Sequence, residues 1–186
     1  YVYKRQLFDG TSFLNVQPGE EFLFTGIDID KNGSVWLTSW HEGVYRYDPE
    51  KTLHFGSKDN IKIFYDYGVF RPLLLDKYGT AWFSAHGTGL LRFKNGIMRQ
   101  FTMEDGLAGS NIQDIRQGKN EILWIATWDG GLSSFDGEAF TNYTVDDGLP
   151  TNQVRQVHVD DEGIVWIGTS EGMCRFDGKE LSLIHI

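Results

Sequence analysis

The sequence predicts an all-β fold built from stacked, four-stranded antiparallel units. Three recurring markers carry that expectation. Tryptophan returns at Trp36, Trp82, Trp124 and Trp166, at spacings of 46, 42 and 42 residues. Asp105-Gly106-Leu107 returns as Asp147-Gly148-Leu149, 42 residues on. Phe135-Asp136-Gly137 returns as Phe176-Asp177-Gly178, 41 residues on, and Phe8-Asp9-Gly10 is an earlier copy. Markers that keep one order and one register define a structural repeat.

In chain order, the repeat divides the sequence into a trailing strand over 7–21 and units over 22–68, 69–107, 108–149 and 150–186. The last unit shows the pattern most fully. Val154–Val159 reads as strand a, and Asp160-Asp161-Glu162-Gly163 as a hairpin turn. Ile164–Thr169 follows as strand b, Ser170-Glu171-Gly172 as a turn and Met173–Phe176 as strand c. Asp177-Gly178 suits the next hairpin. The preceding unit supplies strand d over Ala139–Val145, leading into Asp146-Asp147-Gly148. Within its strand b, Ile122, Trp124 and Ala126 alternate with Leu123, Ile125 and Thr127, so both faces are mostly apolar. Such a strand is covered on both sides. No helical stretch is expected; over Lys58–Asp66, Ile61, Ile63 and Tyr65 alternate like a strand. A unit of this size cannot bury two faces alone. Radial stacking solves this, giving a β-propeller in which Trp36, Trp82, Trp124 and Trp166 wedge between blades. The count comes to about 4.5 blades, which fits either a four-bladed ring or an open arc of a larger one.

Composition sets the outer limits. The 186 residues carry 17 Lys and Arg against 26 Asp and Glu, a formal charge of −9. That balance argues against a nucleic-acid partner, whose backbone needs clustered positive charge. An apolar share of 40% supports a packed core, and 22 Gly beside 13 Phe, 8 Tyr and 6 Trp suits short strands and tight turns. The single Cys174 excludes an internal disulfide and any multi-cysteine metal site. It is expected to be a small core residue.

The decade Asp160-Asp161-Glu162-Gly163-Ile164-Val165-Trp166-Ile167-Gly168-Thr169, with the aromatic-Asp-Gly and Asp-Gly-Leu markers, resembles the two-component regulator propeller repeat. Asp147–Pro150, followed by Asn152 and Val154, is similar to it as well. The resemblance implies seven-bladed propellers in the periplasmic sensor region of hybrid two-component regulators. Those are followed by a β-sandwich, a membrane helix and a histidine kinase, and their ligands are mostly breakdown products of complex polysaccharides. It therefore implies a ring of seven blades, a periplasmic or extracellular location in a membrane-anchored protein, and an oligosaccharide ligand. Further blades, downstream signalling domains and a homodimer are the implied partners. An exported propeller acting as a binding or scaffold protein without a kinase is the alternative. Tyr1–Gln6 and Leu181–Ile186 do not follow the repeat and read as translated adapter sequence, so the chain is expected to be a truncated metagenomic fragment.

No catalytic constellation is legible. His41, Glu42 and Asp48 lack metal-ligand spacing, Ser84 and His86 form no triad, and Gly87-Thr88-Gly89 is too short for a phosphate loop. No enzyme activity, metal or cofactor is expected. The loops between strands b and c are more informative. They carry Trp40 and His41, His86, and Trp128 and Asp129, each four or five residues after its wedge tryptophan. Stacking places them on one rim, beside the Asp-Gly-Leu loops. Aromatic surface next to carboxylates and imidazoles suits the apolar face and polar edge of a sugar. Arg71, Arg116 and Arg155, on strands a, are expected close to the central channel, lining a wet passage or, as the alternative, meeting an acidic sugar.

Overall fold

The computed structural model describes residues 6–8, 13–15, 24–39, 43–47, 52–55, 70–85, 87–118 and 120–184. They form four four-stranded antiparallel sheets and one hairpin. The hairpin pairs β1 (Gln6–Phe8) with β2 (Phe13–Asn15). Blade 1 comprises β3 (Phe24–Ile29), β4 (Val35–Ser39), β5 (Val44–Tyr47) and β6 (Thr52–Phe55). Blade 2 comprises β7 (Phe70–Leu75), β8 (Ala81–Ala85), β9 (Gly89–Lys94) and β10 (Ile97–Phe101). Blade 3 comprises β11 (Ile112–Gln117), β12 (Leu123–Thr127), β13 (Gly131–Phe135) and β14 (Phe140–Tyr143). Blade 4 comprises β15 (Val154–Val159), β16 (Val165–Thr169), β17 (Gly172–Phe176) and β18 (Leu181–Ile184). Each blade is a simple meander, and the first strands β3, β7, β11 and β15 lie side by side in series. The result is an open β-propeller arc.

Three details differ from the sequence expectation. The stretch 7–21 holds most of a hairpin, not one strand. Phe8 and Phe13 stand five residues apart across its turn, as Phe135 and Phe140 do in blade 3, so β1 and β2 correspond to strands c and d. Strand d of blade 3 is shorter than Ala139–Val145, because Val145–Asp147 coils into a single 3-10 turn. Leu181–Ile184, read as foreign to the repeat, pairs with β17 as a regular strand d. The expected strand over Lys58–Asp66 lies outside the described residues.

Among the described residues, the core consists of three interblade layers and a smaller cluster of Val35, Leu37 and Tyr45 on blade 1. Trp36, at 1% exposure, reaches from β4 to Ala81, Phe83 and Phe93 of blade 2. Trp82 reaches into blade 3, and Trp124 into Val154, Val165 and Ile167 of blade 4. Each meets the aromatic that ends strand c of the next blade edge-on: Trp36 on Phe93 at 5.3 Å, Trp82 on Phe135 at 5.9 Å and Trp124 on Phe176 at 5.7 Å. Two sequence markers thus repeat because they touch. Edge-to-face pairs of this kind add about 0.5–1.5 kcal/mol beyond the area they bury. Trp166, in blade 4, is half-buried. Cys174 is fully buried, and its burial pushes the thiol up to about 11, so it stays an unreactive core thiol.

The turn between strands a and b aims each wedge. One carboxylate oxygen of Asp160 accepts from the backbone N–H of Glu162 at 3.0 Å and of Ile164 at 2.9 Å; the other accepts from Trp166 Nε1 at 2.7 Å. Asp30 does the same for Asn32, Ser34 and Trp36, and Asp76 for Tyr78, Thr80 and Trp82. Blade 3 has Gly118 at the aspartate position and Glu121 where the others have glycine. Glu121 accordingly adopts a left-handed φ of 69°.

Candidate functional site

The b–c and d–a loops converge at one end of the blades. They interlock through their backbones. Trp128 N–H donates to the Asn111 carbonyl at 2.9 Å, and Ser170 N–H donates to the Gln153 carbonyl at 3.1 Å. Gly89 and Gly131 N–H donate to the Ser110 and Asn152 carbonyls of the following d–a loops. A side chain at Gly130 would collide with the Ala108 carbonyl, so the two loops around Trp128 approach as closely as backbones can.

Of the five residues expected on this rim, Trp40, His41 and His86 lie outside the described residues. Trp128 and Asp129 stand on the rim. Trp128 is half-buried, and the guanidinium of Arg155 lies 4.7 Å from the centre of its ring. That is cation–π geometry. Asp129 accepts from the N–H of Ser110 at 3.3 Å, from its hydroxyl at 3.2 Å and from Asn111 N–H at 3.1 Å. Its carboxylate fastens the loop below Trp128.

Arg155 was expected in the channel. It is instead the extra residue of a β-bulge, where Val154 pairs with Thr169 and Gln156 with Gly168. A bulge breaks the two-residue alternation of the strand, so a place on strand a does not by itself aim a side chain into the channel. Gln113 is the bulge residue of blade 3, and its amide donates to Asn111 Oδ1 at 2.9 Å. Arg116 does lie by the inner strands, but it turns to Asp114 Oδ1 at 3.1 Å and to the Ile115 carbonyl. Burial pushes the Asp114 carboxyl up, against the pull of Val157 N–H, which donates to it at 3.2 Å, and of Arg116.

The Asp-Gly-Leu loops are not free recognition groups. Asp105 and Asp147 each accept from the backbone N–H of Thr102 and Thr144 at 2.8 Å, while the threonine hydroxyls cap the following turn. Gly106 and Gly148 close those turns with φ of 100° and 109°, and Leu107 and Leu149 are buried. The marker is a capping box followed by a core anchor. Thr102 and Thr144, three residues upstream of each aspartate, are the signal that identifies it. Among the described residues, no group of three or more His, Cys, Asp or Glu is placed to hold a metal, and no helix is long and apolar enough to cross a membrane.

The fold and this rim define the class: a β-propeller arc with a loop-built surface carrying a stacked tryptophan and arginine. Residues 148–171 match the family described as two component regulator propeller. A comparison with the curated proteins finds no match. The chain is similar to the extracellular domain of a hybrid two component system from B. thetaiotaomicron, at 16% identity and a TM-score of 0.70, over 94% of this chain and 24% of that one. It is similar to a virginiamycin B lyase from Staphylococcus aureus at 15% identity and a TM-score of 0.71, over 96% of this chain and 62% of that one. A further likeness, at 13% identity and a TM-score of 0.66, is to PorZ, a surface component of the type-IX secretion system of Porphyromonas gingivalis, over 96% of this chain and 32% of that one. Such likenesses establish the fold, which sensors and enzymes share. The chain spans 24% of the B. thetaiotaomicron domain.

Proposed function

We propose that this chain is part of an extracytoplasmic sensor propeller of a two-component signalling protein, and that its rim binds a glycan breakdown product without turning it over. One observation carries the reading: Trp128 stands half-exposed on interlocked loops, with a guanidinium stacked on its ring. The indole offers an apolar platform for a sugar's C–H face, and Arg155 offers donors to its hydroxyls at the platform's edge. Asp129 and Gly130 hold the platform in place before any ligand arrives, which lowers the ordering cost of binding. The repeat matched at residues 148–171 and the likeness to extracellular domains of two component systems support the signalling context.

The test is isothermal titration with a panel of neutral and acidic oligosaccharides. Trp128→Ala is expected to weaken the best ligand by about 1–3 kcal/mol, as an aromatic anchor does. Asp161→Asn, in the turn at the far end of blade 4, is expected to leave affinity unchanged. Equal affinities for wild type and both variants remove the rim as the binding surface.

A further inference from the structure

At the end of the blades remote from this rim, strands β9 and β10 set Arg92 directly opposite Arg99. Like charges facing each other across a strand pair repel. The other blades avoid this at the same register. They pair Arg46 with Leu53, Ser134 with Thr141 and Arg175 with Ser182. Arg46 is also neutralised, with Nε 3.5 Å from Asp30 and a hydrogen bond to Ser34 Oγ at 2.9 Å. Among the described residues, Arg92 and Arg99 have no ion-pair partner. Arg92 Nε, like Arg46 Nε, is buried without a hydrogen bond, but only Arg46 has a carboxylate beside it. A buried donor left unmade costs more than a made bond returns.

Phe101 holds the pair together. The Arg99 guanidinium lies 4.3 Å from its ring centre and that of Arg92 5.4 Å; Arg92 is also 5.8 Å from Trp82. Burial, and then the charge of Arg99, push the Arg92 pKa down. Arg92 and Lys94 line a cleft of about 170 Å³ between blades 2 and 3. The acids around that cleft are already engaged. Glu121 is bonded to Tyr78 and lies 2.6 Å from Lys77 Nζ. Asp136 accepts from Glu138 and Ala139 N–H at 2.8 Å, and Asp76 holds its own turn and Trp82. The guanidinium N–H groups and the Lys94 ammonium are the donors left over.

We propose that Arg92, which lines this cleft, and Arg99, exposed beside it on β10, form a binding site for a small oxyanion group, a carboxylate or a sulfate, at the edge of the cleft between blades 2 and 3. An oxyanion would cancel the repulsion between the two cations and satisfy their forked donors, which match its geometry. The site lies on the opposite end of the blades from Trp128 and does not depend on the sugar-binding reading.

The experiment titrates the chain with sodium sulfate and, separately, sodium acetate against sodium chloride at constant ionic strength, following the thermal midpoint. Sulfate also stabilises proteins generally by exclusion from their surface, but that rise does not saturate. A saturable rise with either anion is expected in the wild type and in an Arg175→Gln control, and its loss is expected in Arg99→Gln. In chloride, Arg99→Gln should melt higher than the wild type because repulsion is relieved. Saturation with sulfate alone assigns a tetrahedral oxyanion, and with acetate alone a carboxylate. No saturable rise with either anion, or the same rise in Arg99→Gln, overturns the proposal.

Discussion

Asp160 serves the backbone and the core with one carboxylate: one oxygen holds the turn and the other holds Trp166. The Trp166 N–H, followed by the backbone N–H groups of the turn, holds its carboxyl below the usual range despite some desolvation. A depressed folded-state pKa gives stability that is present above the unfolded value, near about 4, and lost as pH falls through the folded value. Asp160→Asn keeps an acceptor for the turn but turns an N–H₂ toward the indole N–H. It should therefore be less stable than the wild type in urea titrations at pH 7, with the gap closing below about pH 4. A gap that stays constant with pH would show that ionisation of Asp160 contributes nothing. At this scale the sequence is informative in part. The wedge tryptophans are legible because their period is. The aspartates of Asp-Gly-Leu look like recognition groups only while their upstream threonines are ignored. Arg155 is misplaced when its strand alone is considered, because one inserted residue frees it to lie over Trp128.

Each interblade layer is closed by strand b of one blade meeting strand c of the next, and among the described residues blade 4 has no such neighbour. Trp124 and Trp166 occupy equivalent positions, but only Trp124 is sandwiched. Trp124→Ala should cost about 3–5 kcal/mol in denaturant unfolding, the usual loss for a large aromatic cut from a core. Trp166→Ala should cost less than half as much. Equal losses would show that the edge-on contact with Phe176 adds nothing. The strand order was legible, since turn chemistry marks every hairpin. The pairing of Arg92 with Arg99 follows from the register that the two-residue Asn95-Gly96 turn sets between β9 and β10, a hairpin signal that lies outside the markers of the repeat.

Over the whole molecule, the exposed large apolar side chains among the described residues of blade 1 are Ile27 and Ile29 of β3, at 65% and 60%, beside Val35, Leu37 and Tyr45, which are themselves buried. Neighbouring exposed isoleucines favour association. The chain should self-associate at rising concentration in light scattering, and Ile27→Lys with Ile29→Lys should reduce that association. A concentration-independent monomer in both forms would show that this face is not adhesive. The bulges near the start of the inner strands have a wider consequence. Thr25, Gln113 and Arg155 fall at equivalent breaks in the register with strand b. Blade 2 carries its break a little later, around Pro72, a residue that bulges tolerate. A residue without a partner across the sheet is released from the demands of the pleat. Selection can exchange threonine for glutamine or arginine there with little penalty to the scaffold. The propeller thereby separates its inheritance into two parts: a frame that must stay constant, and, in blades 1, 3 and 4, one freely editable letter near the rim.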